Sequence, residues 1–483
     1  MEKNAGFFIR PKLTVMSDEH IQSLYAGTLD VLEKVGVKVM HPEALDLAKK
    51  VGCTVGADGV VRFPKKIVEQ AIASTPKRLT IFSRDGEPVM TLGGGNMGGE
   101  NTYFGTGSDL KQTYDLFTGE LRLSVAQDIA NMARVADALP NIDFIMSYGI
   151  PSDAPFERLY RTEFFEMVTN STKPIIFTSD DGDDTRRIIE MAAAVCGGHD
   201  ALRQKPFVLS YAQPTSPLQH SGDALGKIMT SAEFGVPVCY PPGLMPGATG
   251  PVTLAGAIIQ SLAEALSGLV IHQAKAPGAP IVLGGPHGCM DMRTSINVYA
   301  APERLMTQAA STAIYQHFEI PSWGFGGCTD ALLLDEQAGA EFGLFAMWAV
   351  LTGTNLAHDV GYLGSGIVGD LRAIVLNDEI NSYVRHMLAR GVPVNEATMA
   401  LDAIARVGPG GLHLADEHTL EHFKTELWFP ELSNRLNLNA WIQDGKKTMK
   451  DRLDEKTKEI LRSHKPKPLS PETVHALNEM LSA

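Results

Sequence analysis

Short apolar runs alternate with longer amphipathic segments through the middle of the chain, and several of the runs open with proline. Such runs predict buried strands, and the segments between them, with apolar residues at helical spacing, predict helices. The predicted strands cover residues 102–106, 142–148, 174–178, 206–211, 237–240, 280–283, 321–325 and 356–360. The predicted helices cover residues 124–138, 156–169, 183–196, 222–233, 253–273, 303–317, 335–352 and 370–389. This repetition indicates βαβ units and a parallel sheet.

The repeats predict an α/β fold, a (β/α)8 TIM barrel with helical N- and C-terminal extensions. Eight units over roughly 290 residues suit a closed barrel, whose usual length is about 250 residues. The expected organisation is a mainly helical N-terminal extension at 1–100, the barrel with the active site at 101–391, and a helical C-terminal extension at 392–483. A doubly wound open sheet is the alternative, because periodicity alone does not show that a sheet closes.

The charge and cysteine content narrow the class of protein. The chain has 42 Lys and Arg against 56 Asp and Glu, a formal net charge of −14, with 44% hydrophobic and 20% charged residues. An acidic globular chain without basic clusters is not suited to nucleic acid or to an anionic membrane. Five scattered cysteines, no signal-peptide pattern at the start and no apolar stretch of about 20 residues favour a cytoplasmic protein.

In a barrel of this kind, function gathers at the carboxyl ends of the strands. The stretches directly after the predicted strands are rich in tyrosine, glycine and carboxylate, and they carry no lysine or arginine. Such a rim suits a cation held against aromatic faces, at about 0.5–2 kcal/mol for each ring. The residues placed there include Tyr103, Asp109, Tyr148, Tyr211, His287, Cys328, Asp330, His358 and Tyr362.

The neighbouring pair His358-Asp359 is the strongest candidate for acid–base chemistry or for binding a carboxylate. A histidine hydrogen-bonded to the backbone is the structural alternative. The run from His287 to Asp291 matches no standard metal-site spacing, so no metal is expected. No Gly-x-Ser-x-Gly elbow occurs, which disfavours an α/β-hydrolase. For Cys328, a small buried residue in a turn is a more ordinary role than a nucleophile.

Several segments resemble the trimethylamine methyltransferase superfamily. They are LEKVGV at 32–37, PPGLMPGATGPVTLAG at 241–256, GGCTD at 326–330 followed by DEQAG at 335–339, and HDVGY at 358–362. Members are TIM barrels that pass a methyl group from a methylated amine to Co(I) of a separate corrinoid protein. The trimethylamine enzymes carry pyrrolysine, whose approximate position here is 326–330. This chain has only standard residues, so it resembles the branch that lacks pyrrolysine.

The resemblance implies a quaternary amine as substrate, with glycine betaine first and proline betaine, carnitine and γ-butyrobetaine as other candidates. It implies that Tyr103, Phe325 and Tyr362 cage the trimethylammonium group. His358 is expected to bind the substrate carboxylate, assisted by His287. Loop contacts are expected from Gly247, Thr249, Gly327 and Asp330. A quaternary nitrogen leaves as a neutral amine, so no residue is needed for proton transfer; orientation and exclusion of water suffice.

The resemblance also implies that the cobalamin or other corrinoid comes with a partner protein that docks at the barrel mouth. The chain has no Asp-x-His-x-x-Gly cobalt-ligand motif, so no tightly bound corrinoid is expected. A homo-oligomer is left open. Two alternatives also remain: a barrel lyase or hydrolase that uses His358 or His287 without any corrinoid, and a non-catalytic quaternary-amine binding protein.

Overall fold

The fold is described from a computed structural model for residues 11–94, 102–285, 288–389 and 392–482. Its N-terminal part alternates helices with short antiparallel strands. The elements are α1 (Asp18–Asp30), β1 (Val37–Val39), α2 (Pro42–Val51), β2 (Thr54–Val55), β3 (Val60–Arg62), α3 (Lys65–Ser74), β4 (Arg78–Phe82) and β5 (Pro88–Gly93). Ser17 caps α1 by accepting from the His20 N–H, and Gly52 ends α2 in a left-handed conformation.

The central part shows the strand–helix alternation that the sequence predicts, and every predicted helix is present. The elements are β6 (Tyr103–Phe104), β7 (Gln112–Tyr114), β8 (Leu121–Leu123), α4 (Ala126–Ala138), α5 (Leu159–Asn170), β9 (Ile175–Phe177), α6 (Gly182–Cys196), α7 (His199–Gln204), β10 (Val208–Tyr211), β11 (Gln219–His220), α8 (Gly222–Phe234), β12 (Val238–Tyr240), α9 (Leu254–Lys275), β13 (Ile281–Gly284), β14 (Cys289–Asp291), β15 (Ile296–Val298), α10 (Pro302–His317), β16 (Ser322–Phe325), α11 (Glu336–Thr352), β17 (Leu356–His358), β18 (Tyr362–Leu363), β19 (Val368–Gly369) and α12 (Leu371–Val384). The predicted α/β class is confirmed.

Seven strands form one parallel sheet in the order β6-β17-β16-β13-β12-β10-β9. Strands that follow one another in the repeat are neighbours, and the first strand lies beside the last. The order lacks the reversal of a doubly wound sheet, so that alternative is wrong. Side chains from all seven strands meet in one interior cluster: Tyr103, Ile176, Leu209, Cys239, Val282, Trp323 and Leu356. Such a cluster requires the sheet to curl around its own inner face.

The predicted strand at 142–148 does not form a regular strand. Parallel bridges join it to both edge strands of the sheet, Gly105 with Phe144 and Ile145 with Ile175. Between them, Thr106 Oγ1 donates to the Met146 carbonyl at 2.9 Å and accepts from the Met146 N–H at 2.8 Å. The backbone hydrogen-bond ladder is interrupted here because the Thr106 hydroxyl pairs with the Met146 backbone in place of a backbone group. Hydrophobic periodicity in the sequence does not reveal such a side-chain pairing.

The β4–β5 hairpin covers the amino ends of the curled sheet. Leu79, Ile81, Met90 and Leu92 of the hairpin belong to the interior cluster. The Thr91 N–H donates to the Tyr103 hydroxyl at 2.9 Å, at the start of β6. This end is filled by packed side chains, so the chemistry of the interior is confined to the carboxyl ends of the strands.

Helix α9 is apolar along its length. Among the described residues it is the one helix long and apolar enough to cross a membrane, but 72% of that apolar window is buried inside the fold. Helices α1, α2, α3 and α8 pack against it. These contacts place α9 in the core of the fold.

The C-terminal part consists of helices. They are α13 (Glu396–Met399), α14 (Leu401–Val407), α15 (Glu417–Glu426), α16 (Leu438–Gln443), α17 (Met449–Ser463) and α18 (Pro471–Ser482). Helix α17 packs on α12 and α4, and α18 packs on α5 and α6. Arg372 joins the two parts through ion pairs with Asp370 at 2.6 Å and Asp454 at 3.1 Å. The last two helices are therefore tied to the central part.

Candidate functional site

Aromatic rings line the interior at the carboxyl ends of β16 and β17. Phe325 and His358 are register partners on the two strands, so both point inward with Trp323. The His358 ring lies 4.2 Å from the Trp323 ring and 4.5 Å from the Phe325 ring. Tyr211, at the end of β10, lies 5.4 Å from Trp323 on the other side. The site is therefore walled by aromatic faces, as a site for an organic cation would be.

His358 is oriented by two polar contacts. Its Nδ1 donates to the Gly324 carbonyl at 2.6 Å, so the neutral ring carries its proton there. Its Nε2 lies 3.3 Å from Asp359 Oδ1. Asp359 is buried and holds a left-handed backbone with φ of 62°, a strained conformation of the kind found at functional sites. Burial raises the pKa of Asp359 to about 7, while Arg304 acts against this rise and Asp109 adds to it.

A second carboxylate, that of the half-buried Asp109, interacts with Asp359. Asp109 also has a positive φ, of 68°, and burial raises its pKa. Its Oδ2 accepts from Ser108 Oγ at 2.7 Å, and its Oδ1 has no hydrogen-bond partner among the described residues. A Cβ at Gly107 would collide with both Asp359 Oδ1 and the Tyr362 hydroxyl, so these two groups are neighbours. Two carboxylates in one apolar site create a potential that favours a cation.

Arg304, from the first turn of α10, brings a positive charge to the same site. It is fully buried, and its guanidinium carbon lies 3.3 Å from the Phe325 ring centroid and 3.9 Å from that of Tyr299. Its Nη1 donates to the Tyr299 carbonyl at 3.2 Å and to Cys328 Sγ at 3.6 Å. Its Nε and Nη2 have no hydrogen-bond partner among the described residues. A buried charge without hydrogen-bond partners costs roughly several kcal/mol of stability unless an anion binds to it.

The sequence prediction missed Arg304 because only the loops directly after the strands were considered. A signal was nevertheless present. Arg304 follows Pro302 and Glu303 in the first turn of its helix, where the helix dipole disfavours a cation. A basic residue in the first turn is unfavourable for the helix itself. In the helix that follows a site loop, such a residue therefore indicates that its charge interacts with a group outside the helix.

The structure brings together three of the five predicted contact residues: Phe325, His358 and Tyr362. The Tyr362 hydroxyl donates to the Ser108 carbonyl, and its ring is 5.9 Å from that of Tyr148. Tyr103 lies elsewhere, because it begins its strand and pairs with Leu356 at the amino side of the sheet. His287 lies outside the described residues.

The predicted loop contacts take separate places. The N–H groups of Gly247 and Thr249 donate to carbonyls of their own loop, at 3.1 and 3.0 Å, which leaves neither pointing at a ligand. A Cβ at Gly327 would collide with Asn377 of α12, so this glycine serves close packing. Asp330 accepts from the N–H groups of Tyr299 and Ala300, at 2.6 and 3.0 Å. Asp330 therefore positions the segment whose carbonyl holds Arg304.

Removing the Asp330 carboxylate should loosen that segment. We expect Asp330→Ala to lower the free energy of unfolding by about 1–2 kcal/mol and to weaken substrate binding, because the N–H groups of two half-buried residues lose their acceptor. Calorimetric melting and KM measure the two effects. Asp335→Ala is the matched control, since Asp335 also accepts from two backbone N–H groups but at the start of α11. An equal change of KM in both variants would contradict the positioning role.

The chain is similar to known proteins over nearly its whole length. The family model for trimethylamine methyltransferase (MTTB) matches residues 7–482. The chain is 32% identical to trimethylamine methyltransferase MttB of Desulfitobacterium hafniense strain DSM 10664 / DCB-2, over 96% of this chain and 92% of the relative. It is 30% identical to glycine betaine methyltransferase of Desulfitobacterium hafniense strain Y51, over 96% and 95%. Among solved structures, a monomethylamine methyltransferase (MtmB) of Methanosarcina barkeri aligns with a TM-score of 0.48 and 13% identity, over 92% of this chain and 97% of its own.

Proposed function

The chain belongs to the trimethylamine methyltransferase family and is a methyltransferase, and we propose that it moves a methyl group from a zwitterionic quaternary amine to Co(I) of a separate corrinoid protein. Glycine betaine is the first choice of substrate. The observation that carries this choice is the buried Arg304, which lies against an aromatic wall and whose Nε and Nη2 have no hydrogen-bond partner among the described residues. Trimethylamine has no anion to offer it, whereas proline betaine, carnitine and γ-butyrobetaine do.

Arg304 and Asp359 give the site one positive and one negative group, as a zwitterion requires. We assign the substrate carboxylate to Nε and Nη2 of Arg304, a fork that suits a carboxylate. The trimethylammonium group then rests against the ring of Tyr362 and the edge of Phe325, near the carboxylate of Asp359, because the Arg304 guanidinium already covers one face of the Phe325 ring. This arrangement moves the carboxylate-binding role from His358 to Arg304, because His358 Nε2 already faces Asp359 at 3.3 Å.

The aromatic residues of the proposed cage differ from those that the resemblance implies. Tyr103 is replaced by Tyr299, whose ring lies 6.0 Å from that of Phe325, and by Trp323, whose ring lies 4.2 Å from that of His358. His287 stays a proposed contact. These rings have the additional task of excluding water, which strengthens each charge interaction inside the site.

The chemistry asks little of the protein besides orientation. The corrinoid supplies the Co(I) electron pair that accepts the methyl group. The carbon–nitrogen bonding pair stays on nitrogen, so glycine betaine leaves as neutral-nitrogen dimethylglycine and no proton moves. Arg304 and the aromatic wall together hold the substrate in the orientation that methyl transfer requires. Loss of the cationic charge also weakens the attraction of Asp359, which favours product release.

We propose that the curled sheet is a closed (β/α)8 barrel, with 142–148 as its eighth strand, on the support of the two parallel bridges to both edges. The corrinoid partner would dock over the mouth. Exposed apolar side chains lie in the loops after four of the strands: Val252, Met292, Ile296, Leu332, Leu333 and Ile367. Such a ring favours a protein partner. The five free cysteines are in keeping with the cytoplasm as its location.

An anaerobic absorbance assay tests the proposed reaction. Purified protein is mixed with reduced cob(I)alamin and, in turn, glycine betaine, proline betaine, carnitine, γ-butyrobetaine and trimethylamine. We expect enzyme-dependent loss of the Co(I) band with a zwitterion and none with trimethylamine. Turnover of trimethylamine alone would overturn the substrate class but not the reaction. If none of these amines caused loss of the Co(I) band, and the same result were obtained with a corrinoid protein, both the substrate class and the reaction would be overturned.

A second candidate follows from the His358-Asp359 pair. A carboxyl with a pKa of about 7 beside an imidazole is typical of acid–base catalysis, as in a lyase or hydrolase. Such an enzyme would convert its substrate without any corrinoid. The same assay, followed by product analysis with and without cob(I)alamin, separates such a reaction from methyl transfer to a corrinoid.

A further inference from the structure

The backbone of Phe325 is bound by a side chain at a point where a neighbouring strand would normally bind it. Within the part of the chain that the structure describes, the pairing of β13 with β16 reaches Gly284 and Trp323. In a continued parallel ladder the Phe325 N–H would donate to the Gly285 carbonyl. It donates instead to Gln308 Oε1 at 3.1 Å, and Gln308 Nε2 donates to the Phe325 carbonyl at 3.2 Å. The Gln308 amide therefore replaces a strand beside the last residue of β16.

The fold leaves room for this amide. Gln308 is 4% exposed, so its two hydrogen bonds form away from water. A Cβ at Gly324 would approach the Gln308 amide carbon to 3.0 Å, and a Cβ at Gly285 would collide with Ser311 Oγ on the next turn of α10. Glycine at these two positions thus lets α10 come close to the sheet. A buried amide that pairs with two backbone groups is costly to remove, because both groups lose their partner.

The same face of α10 carries Arg304. Arg304 and Gln308 lie four residues apart in this helix, so their side chains are neighbours. Gln308 binds the backbone of Phe325, while the Arg304 guanidinium carbon lies 3.3 Å from the centroid of the Phe325 ring. One strand residue is therefore held by both side chains. The direction of the Arg304 N–H groups depends on where that ring lies.

We infer that Gln308 is a positioning residue for the substrate carboxylate. It fixes Phe325 against α10, and the Phe325 ring in turn supports the Arg304 guanidinium. The inference rests on the proposed binding of the carboxylate by Arg304. A shift of about 1 Å in a group that orients a substrate costs up to about 100-fold in rate, so loss of the amide has a measurable effect. The ammonium group is assigned to Tyr362 and Asp359, which Gln308 does not bind.

The variant Gln308→Met tests the inference in the cob(I)alamin assay. The KM for glycine betaine should rise roughly 10-fold or more, with a smaller change of kcat, because the carboxylate loses its alignment. The KM for tetramethylammonium, which has no carboxylate, should stay nearly constant. Gln316→Met is the matched control, since Gln316 lies on the same helix and donates to the Thr352 carbonyl at 2.9 Å. It should lower the Tm and leave both KM values unchanged. An equal rise for both compounds, or in both variants, would show that Gln308 has only a structural role.

Hydrogen exchange resolved to single amides tests the contact without any substrate. The Phe325 amide should exchange faster in Gln308→Met, whereas the Gly326 amide, which donates to the His358 carbonyl at 2.8 Å, should keep its protection. Unchanged protection at Phe325 would overturn the inference. If Gln308→Met does not fold, Gln308→Asn, whose amide is one methylene shorter, takes its place with the same expectations.

The outcomes distinguish this inference from the proposed function. A wild-type protein that neither binds nor demethylates any betaine would contradict the proposed function. A wild-type protein that demethylates glycine betaine, beside a Gln308→Met variant with the same KM, would contradict the positioning role alone.

Discussion

Replacing Arg304 with methionine is expected to raise the KM for glycine betaine about 100-fold, which corresponds to about 2.7 kcal/mol. The reason is the loss of two charge-assisted hydrogen bonds to the substrate carboxylate. Methionine keeps an apolar side chain between the rings of Phe325 and Tyr299, so the packing is retained. Tetramethylammonium, which has the cation but no carboxylate, should lose far less. The measurement is the KM for both compounds in the cob(I)alamin assay.

Stability separates a binding role of Arg304 from a structural one. An unpartnered buried charge destabilises the free protein, so Arg304→Met should leave the Tm unchanged or raise it. Glycine betaine should raise the Tm of the wild type by binding the native state and should fail to raise that of the variant. Arg293→Met is the matched control, since Arg293 is exposed and lies on the β14–β15 turn. A large fall in the Tm of the free variant, with betaine binding preserved, would show that Arg304 is structural.

The alternation of strands and helices was predictable because each element is determined largely by its own residues. Each helix carries its own apolar face, and several carry caps of their own, such as Asp181 for α6 and Asp335 for α11. The break of the ladder near Thr106 was not predictable in the same way. It depends on a hydroxyl that meets a carbonyl forty residues away, at Met146.

The candidate site was predictable in part for a related reason. Phe325 and His358 stand at the ends of their strands, so a rule based on strand ends finds them. Tyr103 fails the same rule because the strand begins at this residue, which places the ring at the amino side. Arg304 reaches the site from a helix, across the Phe325 ring, and only the packing of α10 on β16 brings it there.

Betaine binding is expected to weaken as the pH falls through about 7. Burial raises the pKa of Asp359 to about 7, so this carboxyl is ionised above that pH and neutral below it. The quaternary ammonium group has no proton to lose, and therefore the pH dependence belongs to the protein. If the cation needs the ionised form, the Kd should rise toward tenfold for each pH unit below the midpoint. Calorimetric titration without any corrinoid, between about pH 5.5 and 8.5, measures this.

Two variants decide whether Asp359 is the group that titrates. Asp359→Asn should bind betaine about 10- to 100-fold more weakly at pH 8, and this affinity should no longer depend on pH. Asp109→Asn should keep the dependence but move its midpoint to lower pH, because Asp109 helps to raise the pKa of Asp359. An unchanged pH profile in Asp359→Asn would assign the titration to another group, and Asp359 would then act only by holding His358 in place.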